Sequence, residues 1–275
     1  MNAAPTRRVR VPGKLMLCGE YAVLAGAPAV VTCVDRYVVV DARPTYDGLA
    51  PVRLRGFDGD TYRYQMTGGV PTWETPGAAT ALIDAVLRTV QPLNTALVVD
   101  STAFYDQGRK LGLGSSAAVA VAICAALGDG DRVVDALPQA LAAHAQFQGG
   151  RGSGADLRAV AHGGSIVQRA DGQGALASLL GWPAGLEARA IMTTQSAATL
   201  DHVRRFEAWR ASDANASVRL DGLAAAASHV VTEWQRADAA GIIEAMNAFT
   251  HEMRHIDAAA GLGYFGQQRL KGFIR

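Results

Sequence analysis

The sequence has few cysteines, no excess of either charge and no long apolar run, and each absence excludes a class of protein. Its three cysteines, Cys18, Cys33 and Cys124, lie in apolar stretches without C-x-x-C spacing, which argues against a zinc site or disulfide framework and for buried thiols in a reducing compartment. The 26 basic and 25 acidic residues give a net charge of +1, so neither nucleic acid nor an anionic membrane is the expected partner. No window approaches the about 18 apolar residues of a membrane span, and the N-terminus lacks a signal-peptide core. We therefore expect a cytoplasmic protein with small-molecule partners.

The length of 275 residues allows two domains, each with a core of its own. The polar, glycine-containing stretch 170–174 is the best candidate for a linker or hairpin turn. We therefore predict an N-terminal domain over residues 1–174 and a C-terminal domain over residues 175–275.

The most informative stretch, GRKLGLGSSAA, covers Gly108–Ala118 and runs from a glycine-rich turn into an apolar helix. Gly112 and Gly114 permit positive φ and close approach of a ligand, while Ser115 and Ser116 place hydroxyls at the positive end of the helix. This arrangement predicts an anion or phosphate site, supported by a buried helix through Leu127. An ordinary capped core helix is the alternative interpretation.

Two familiar phosphate motifs do not fit this stretch. A P-loop requires a lysine directly after its second glycine, and no lysine follows Gly114 before the helix. The run from Gly112 to Ala117 matches G-x-G-x-x-A, but the candidate strand Ala96–Ser101 ends about ten residues too early for a dinucleotide fold. The loop is therefore of another kind.

Lys14 follows a predicted Pro12-Gly13 turn between two extended pieces. A lysine in that position has little freedom, so its ammonium is aimed at one place, where it could neutralise a transferring phosphoryl group. A solvated turn lysine is the alternative. Glu20 either approaches a metal, pairs with Lys14 or caps the next segment.

A second glycine-rich run, GGRGSGAD, covers Gly149–Asp156 and leads into a short predicted helix, Leu157–Ala161. Its four glycines allow the backbone to pass close to a ligand, with Asp156 presented at its end. The alternative is a helix-capping aspartate on a loose loop.

The remaining pattern predicts a scaffold of strands and helices. Two valine-rich strands are predicted to form a hairpin about Asp35-Arg36, and a second pair is predicted across residues 58–60. The other predicted elements are a helix from Thr75 to Val90, a helix over Asp131–Phe147, a strand over Glu187–Thr194, and helices over Thr199–Arg210, Val218–Arg236 and Ala239–Arg254. The six histidines are scattered and indicate no metal site.

Three segments, PGKLMLCGEYAVL, KLGLGSSAAVAVA and GGRGSGAD, stand in an order and at separations that resemble the GHMP kinases (galactokinase, homoserine kinase, mevalonate kinase and phosphomevalonate kinase). The similarity covers about residues 8 to 210 and is strongest to the phosphomevalonate kinases. It implies an α+β fold: an N-terminal ATP-binding domain with a left-handed β-α-β crossover, like that of a ribosomal protein, and an incomplete ferredoxin-like C-terminal domain. The implied activity is ATP-dependent phosphorylation of 5-phosphomevalonate in isoprenoid-precursor synthesis, by a monomer or homodimer.

The resemblance also implies a role for particular residues. Lys14 and Asp156 would be catalytic, and the Ser116 hydroxyl would reach Mg²⁺. The residues implied to bind ATP are Lys110, Gly112, Leu113, Gly114, Ser115, Ser116 and Ala117. The residues implied to bind the acceptor are Glu20, Tyr21, Arg151, Ser153 and Gly154.

The chemistry of the acceptor bears on these roles. An alcohol must lose a proton, which Asp156 could take, whereas the second pKa of a phosphomonoester is about 6 and its oxygen is already largely ionised at neutral pH. With a phosphorylated acceptor two anions must be brought together, so the cations Lys14, Arg109, Lys110 and Arg151 matter more than a carboxylate. Three of these four flank the glycine loops, which favours a phosphorylated acceptor.

The sequence departs from the family pattern in two places. Mevalonate kinases carry a metal-binding glutamate where this chain has Ala145, and the glycine-rich run near the C-terminus of the family has no counterpart after Gly261. We therefore expect a truncated C-terminal domain. The alternatives are mevalonate kinase or another alcohol-directed member, a catalytically impaired nucleotide-binding remnant and, least favoured, a dinucleotide-binding oxidoreductase.

Overall fold

The computed structural model describes residues 6–46, 48–150, 152–170, 175–191 and 199–265. These residues form two compact units, the first from residues 6–15 and 32–164 and the second from residues 16–31 and 165–265. The strands are β1 (Arg7–Cys18), β2 (Ala29–Pro44), β3 (Ala50–Arg55), β4 (Thr61–Thr67), β5 (Val70–Trp73), β6 (Thr95–Asp100), β7 (Tyr105–Asp106), β8 (Arg109–Lys110), β9 (Ser165–Ala170) and β10 (Ala175–Leu180). The α-helices are α1 (Ala81–Val90), α2 (Ser115–Leu127), α3 (Leu137–Phe147), α4 (Ala155–His162), α5 (Thr199–Ser212), α6 (Ala216–Gln235) and α7 (Ala239–Ala260). The α+β class predicted from the sequence is confirmed.

The first unit is a sheet covered by four helices. Its strands lie in the order β2-β6-β3-β4-β5, and β1 pairs with β2 beside this path. Strand β6 runs antiparallel to β2, with Val40 opposite Val99, and parallel to β3, with Val52 opposite Leu97. Alternate side chains of these strands are buried, as expected for a sheet with one covered face.

Helix α2 is the centre of the first unit. Ten of its thirteen residues are buried, and it packs against α1, α3 and α4. Its apolar side chains are small, mostly alanine and valine, so the neighbouring helices can approach closely on several sides. The predicted buried helix is therefore confirmed, and its N-terminus is held in a fixed position.

The second unit consists of the antiparallel pair β9–β10, the helices α5, α6 and α7, and the segment 16–31. Its core contains Phe206, Leu223, Val230 and Ile256 together with the buried thiol of Cys18. Among the residues that the structure describes, none of the helices combines the length and apolar character needed to cross a membrane.

The structure corrects four local predictions. Helix α1 begins at Ala81 and not at Thr75. β1 is one strand through Pro12 and Gly13, and β2 is one strand through Asp35 and Arg36, where turns were predicted. Strand β1 pairs with β2 beside the main strand order, and proline within sheets is typical of such peripheral strands. Residues 187–191 are exposed and form no strand, and residues 192–194 of that prediction lie outside the described residues.

Candidate active site

The predicted phosphate loop enters α2 through two glycines with left-handed backbone. Gly112 and Gly114 both have φ of 74°, and Gly114 is the N-terminal cap residue of the helix without a side-chain capping bond. The first intrahelical hydrogen bond runs from the Ala118 amide to the Gly114 carbonyl at 3.1 Å. The amides that precede Ala118 in the first turn therefore have no carbonyl partner within the helix. The helix mouth thus presents amide donors and the hydroxyls of Ser115, which is buried, and Ser116, which is partly buried.

Lys14 lies on β1 and packs directly on this mouth. Its backbone amide donates to the Leu113 carbonyl at 2.9 Å. A Cβ atom placed on Gly114 would lie 2.7 Å from Cε and 2.8 Å from Cγ of Lys14, so any side chain at Gly114 would displace the lysine. The predicted turn before Lys14 is wrong. The Lys14 side chain is nevertheless restrained, because its strand is paired and because it packs against Gly114.

Gly13 allows β1 to approach the loop. A Cβ atom there would lie 2.8 Å from Cε1 of Phe104 and 2.9 Å from the Leu113 carbonyl oxygen. Gly13 is buried, and the Phe104 ring is fully buried beside it. The close passage of the two backbones brings the Lys14 side chain within reach of the α2 N-terminus.

Lys14 forms an ion pair with Asp156. The Nζ–Oδ1 distance is 2.8 Å, and the side chains are 14% and 37% exposed. Asp156 lies in the first turn of α4, where the helix dipole favours a carboxylate. The same lysine therefore contacts Gly114, the cap residue of α2, and the carboxylate in the first turn of α4, so the two loops converge on it.

The described residues of the second glycine loop make contacts of their own. The Ser153 hydroxyl accepts from the Ala155 amide at 3.3 Å, and the Arg158 guanidinium donates to the Ser153 carbonyl at 3.2 Å. Gly154, the N-terminal cap residue of α4, lies against Leu141 and Arg158. Arg151, which the sequence places in this loop, lies outside the described residues.

His144 is a member of the site that the sequence interpretation missed. It is only 6% exposed, and its Nε2 lies 3.4 Å from the Ser116 hydroxyl oxygen. Burial lowers the pKa of His144, and the nearby Asp156 carboxylate opposes that shift. Its burial could have been predicted from its spacing, because Ala140, Ala143 and His144 lie at positions i, i+3 and i+4 on one face of α3.

The remaining predicted residues are placed in two different environments. Lys110 and Arg109 are exposed on β8, which pairs with β7 ahead of the loop. Glu20 and Tyr21 belong to the second unit. Tyr21 is 7% exposed, adopts φ of 59° and shares a hydrogen bond of 2.9 Å between its hydroxyl and that of Tyr264. Burial, followed by the bond to Tyr264, raises the pKa of Tyr21.

Tyr264 is a second residue that the sequence interpretation missed, because the C-terminal stretch after Gly261 has no helical periodicity. The backbone amides of Tyr264 and Phe265 donate to the Asp257 carboxylate at 2.8 and 3.1 Å. This cap on the end of α7 fixes Tyr264 against Tyr21 in the core of the second unit.

The donors at the α2 mouth fit a cation that arrives with a phosphate ligand. Among the described residues, no group of three or more His, Cys, Asp or Glu side chains is placed to hold a metal ion. The oxygen donors near this mouth include the Ser115 and Ser116 hydroxyls and the Asp156 carboxylate. Mg²⁺ is commonly held by one or two protein oxygens together with substrate phosphates.

The strand order and the helical cover of the first unit identify the fold by comparison with solved structures. A protein from Listeria innocua superimposes with a TM-score of 0.78 at 18% identity, over 94% of this chain and 81% of that one. The Streptococcus pneumoniae phosphomevalonate kinase in complex with phosphomevalonate and AMPPNP superimposes with a TM-score of 0.70 at 17% identity, over 91% of this chain and 80% of that one. The chain has the GHMP kinase fold. Mevalonate kinases are also among its structural neighbours.

Sequence comparison gives a more local match. The chain is 32% identical over 188 residues to the phosphomevalonate kinase of Streptomyces sp. strain CL190, a match that covers 58% of this chain and 48% of that protein. The match therefore spans about half the length of the curated relative. No family profile matches the chain. The resemblance noted in the sequence is confirmed at the level of the GHMP kinase fold and of these neighbours.

Proposed function

We propose that the chain is a cytoplasmic GHMP-family phosphotransferase that transfers the γ-phosphoryl group of ATP to 5-phosphomevalonate. The observation that carries the proposal is the 2.8 Å ion pair of Lys14 with Asp156, formed directly over Gly114 at the mouth of α2. This pair places a cation where a phosphate bound at the helix N-terminus would transfer its terminal group. The 32% identity to a phosphomevalonate kinase supports the choice of acceptor.

In this proposal each group has a separate task. The amides of the first turn of α2 and the Ser115 and Ser116 hydroxyls bind the nucleotide phosphates, and Lys14 neutralises charge on the transferring phosphoryl group. Asp156 holds the Lys14 ammonium in place. Mg²⁺, held by the Ser116 hydroxyl and the nucleotide phosphates, would supply further neutralisation of the phosphate charge. Lys110, Arg151, Ser153, Gly154, Glu20 and Tyr21 remain proposed binding residues.

A phosphorylated acceptor suits this arrangement because it requires no general base. Its oxygen is already largely ionised at neutral pH, since the second pKa of a phosphomonoester is about 6. The Asp156 carboxylate is engaged with Lys14 at 2.8 Å, so its main effect is to orient the cation that draws the two anions together. Mevalonate kinase is the second candidate, because the same Asp156 oxygen could accept the proton of an alcohol.

A coupled assay of ADP release, run separately with 5-phosphomevalonate and with mevalonate, tests the proposal. We expect turnover with the phosphorylated acceptor only. Turnover with mevalonate alone would establish the alcohol-directed alternative. No turnover with either acceptor, with weak or absent ATP binding, would identify the chain as a non-catalytic nucleotide-binding remnant.

A further inference from the structure

The contact between His144 and Ser116 is not accounted for by the proposed roles of Lys14 and Asp156. His144 is a titratable residue with only 6% of its surface exposed, on a helix that packs against α2 and α4. Its Nε2 atom is 3.4 Å from the Ser116 hydroxyl oxygen, and Ser116 lies in the first turn of α2. A buried polar ring is costly unless it is hydrogen-bonded, so this contact defines the environment of both side chains.

The surroundings of the imidazole hold it in position. The Phe147 ring lies one helical turn along α3, with 6.0 Å between the ring centroids. The Asp156 carboxylate is close enough to influence His144 electrostatically, although it is paired with Lys14. The ring is therefore fixed by its own helix, by α2 and by the charge at the start of α4.

The serine, by contrast, has no intrinsic reason to keep one orientation. An isolated serine side chain occupies three staggered rotamers, and near a helix terminus its hydroxyl competes among backbone partners. The contact with His144 selects one of these orientations and leaves further lone pairs of the hydroxyl oxygen for a ligand. Ser115, the preceding residue, is buried at 7% exposure.

We infer that His144 is a positioning residue that holds the Ser116 hydroxyl in the orientation needed to bind nucleotide phosphate and its cation at the mouth of α2. The inference rests on the proposed function for the identity of the ligand. It assigns His144 no contact with the reacting atoms. The neighbouring Ala145 contributes no polar atom to this position, so the imidazole is the polar group that α3 directs at Ser116.

The test is a double-mutant cycle of Ser116→Ala and His144→Leu, with AMPPNP and Mg²⁺ as the probe and calorimetry as the readout. Each single variant should weaken binding about tenfold, the factor that corresponds to one hydrogen bond. The double variant should bind no more than about twofold more weakly than either single variant, because both remove the same interaction. His144→Gln, whose amide can still reach the hydroxyl, should recover most of the affinity. His162→Leu, an exposed histidine at the end of α4, is the matched control and should bind like the parent chain.

Two outcomes would overturn the inference. One is a double variant whose loss of affinity equals the product of the two single losses, and the other is an equal loss of affinity for His144→Leu and His144→Gln. Failure of the parent chain to bind AMPPNP would instead contradict the proposed function. In that case the same double-mutant cycle is measured as changes in Tm of the ligand-free variants. Losses in Tm that add within error overturn the inference, whereas a double variant that loses about 2 °C less than the sum supports the contact.

Discussion

The two glycine loops of the first unit have similar sequences but differ in what they present. Each ends in a glycine with φ near 70° that caps a helix, Gly114 before α2 and Gly154 before α4. Helix α2 follows with two serines, whereas α4 follows with Asp156 in its first turn. One helix mouth is therefore arranged to attract an anion, and the other carries an anion of its own.

The supports of the two helices differ as well. Gly114 packs on the Lys14 side chain, which comes from a distant strand, whereas Gly154 packs on Arg158 and Leu141. The ion pair between Lys14 and Asp156 then links the two mouths. Glycine spacing alone therefore does not distinguish a binding loop from a supporting one. What distinguishes them is the charge that the rest of the fold brings against each.

Removal of the shared lysine should have the largest effect. Lys14→Ala should lower the rate of ADP release with 5-phosphomevalonate by about 10² to 10³-fold, because one stabilising cation at the transferring group is lost. Arg8→Ala is the control, since Arg8 is an exposed cation of the same strand. A loss of less than about tenfold in Lys14→Ala would remove the basis for the proposed role of this residue.

Gly112 and Gly114 form a matched pair for the contact with Lys14. Both have φ of 74°, but a Cβ atom at Gly112 meets nothing within 4 Å, whereas one at Gly114 collides with the lysine. Either change to alanine should cost about 1–2 kcal/mol of unfolding free energy, since both place alanine in the left-handed region. Gly114→Ala should in addition lower turnover by about 10²-fold, because displacement of a catalytic group by about 1 Å has that effect. Equal turnover in the two variants would show that the displaced lysine is not needed.

Asp156→Asn should have a smaller effect than Lys14→Ala if the acceptor is phosphorylated. The substitution keeps the shape of the side chain and removes the charge that orients the ammonium, so a loss of up to about fivefold is expected from the value of such a pair. Both variants should be compared in the same ADP-release assay with 5-phosphomevalonate. Equal losses would mean that the carboxylate acts as a base and would favour an alcohol acceptor.

The burial of α2 gives a predicted effect on stability that is absent at neutral pH. Burial raises the pKa of the Cys124 thiol from 9.0 to about 12, so the folded chain keeps this proton above the pH at which the unfolded chain releases it. The resulting stabilisation is complete below about pH 9 and is lost as the pH rises toward about 12. Between these values the parent chain should lose about 1.4 kcal/mol per pH unit more than Cys124→Ala, measured by urea unfolding at a series of pH values. Parallel curves would indicate that the α2 interior is open to water.

The residues of the two loops could be predicted because glycine and serine at a helix start have a direct physical meaning. Gly112, Gly114 and Asp156 lie where the sequence places them, and α2 is buried as its composition predicts. The continuous course of β1 and β2 could not be predicted. Pro12-Gly13 is a turn signal in isolation, and it becomes part of a strand because β1 pairs with β2, a contact that the local sequence does not show.

His144 and Tyr264 show a second limit of sequence interpretation. A histidine in an alanine-rich stripe and a tyrosine after a helix end have no local pattern that assigns a partner. Their partners, Ser116 and Tyr21, are separated from them by 28 and 243 residues in the sequence. Such contacts depend on how the elements of each unit pack together. The periodicity of a single element does not indicate which residues of another element it will contact.

The sequence by itself determined the α+β class, the two glycine loops, the buried helix behind the first loop and the carboxylate at the end of the second, because each depends on local backbone preference and on the composition of one segment. Tertiary structure alone decided that Lys14 packs on Gly114 and reaches Asp156, and that His144 holds Ser116. The reason is that these pairs join separate elements of the first unit, whose side chains are brought together by the packing of α2 against the strands and helices around it.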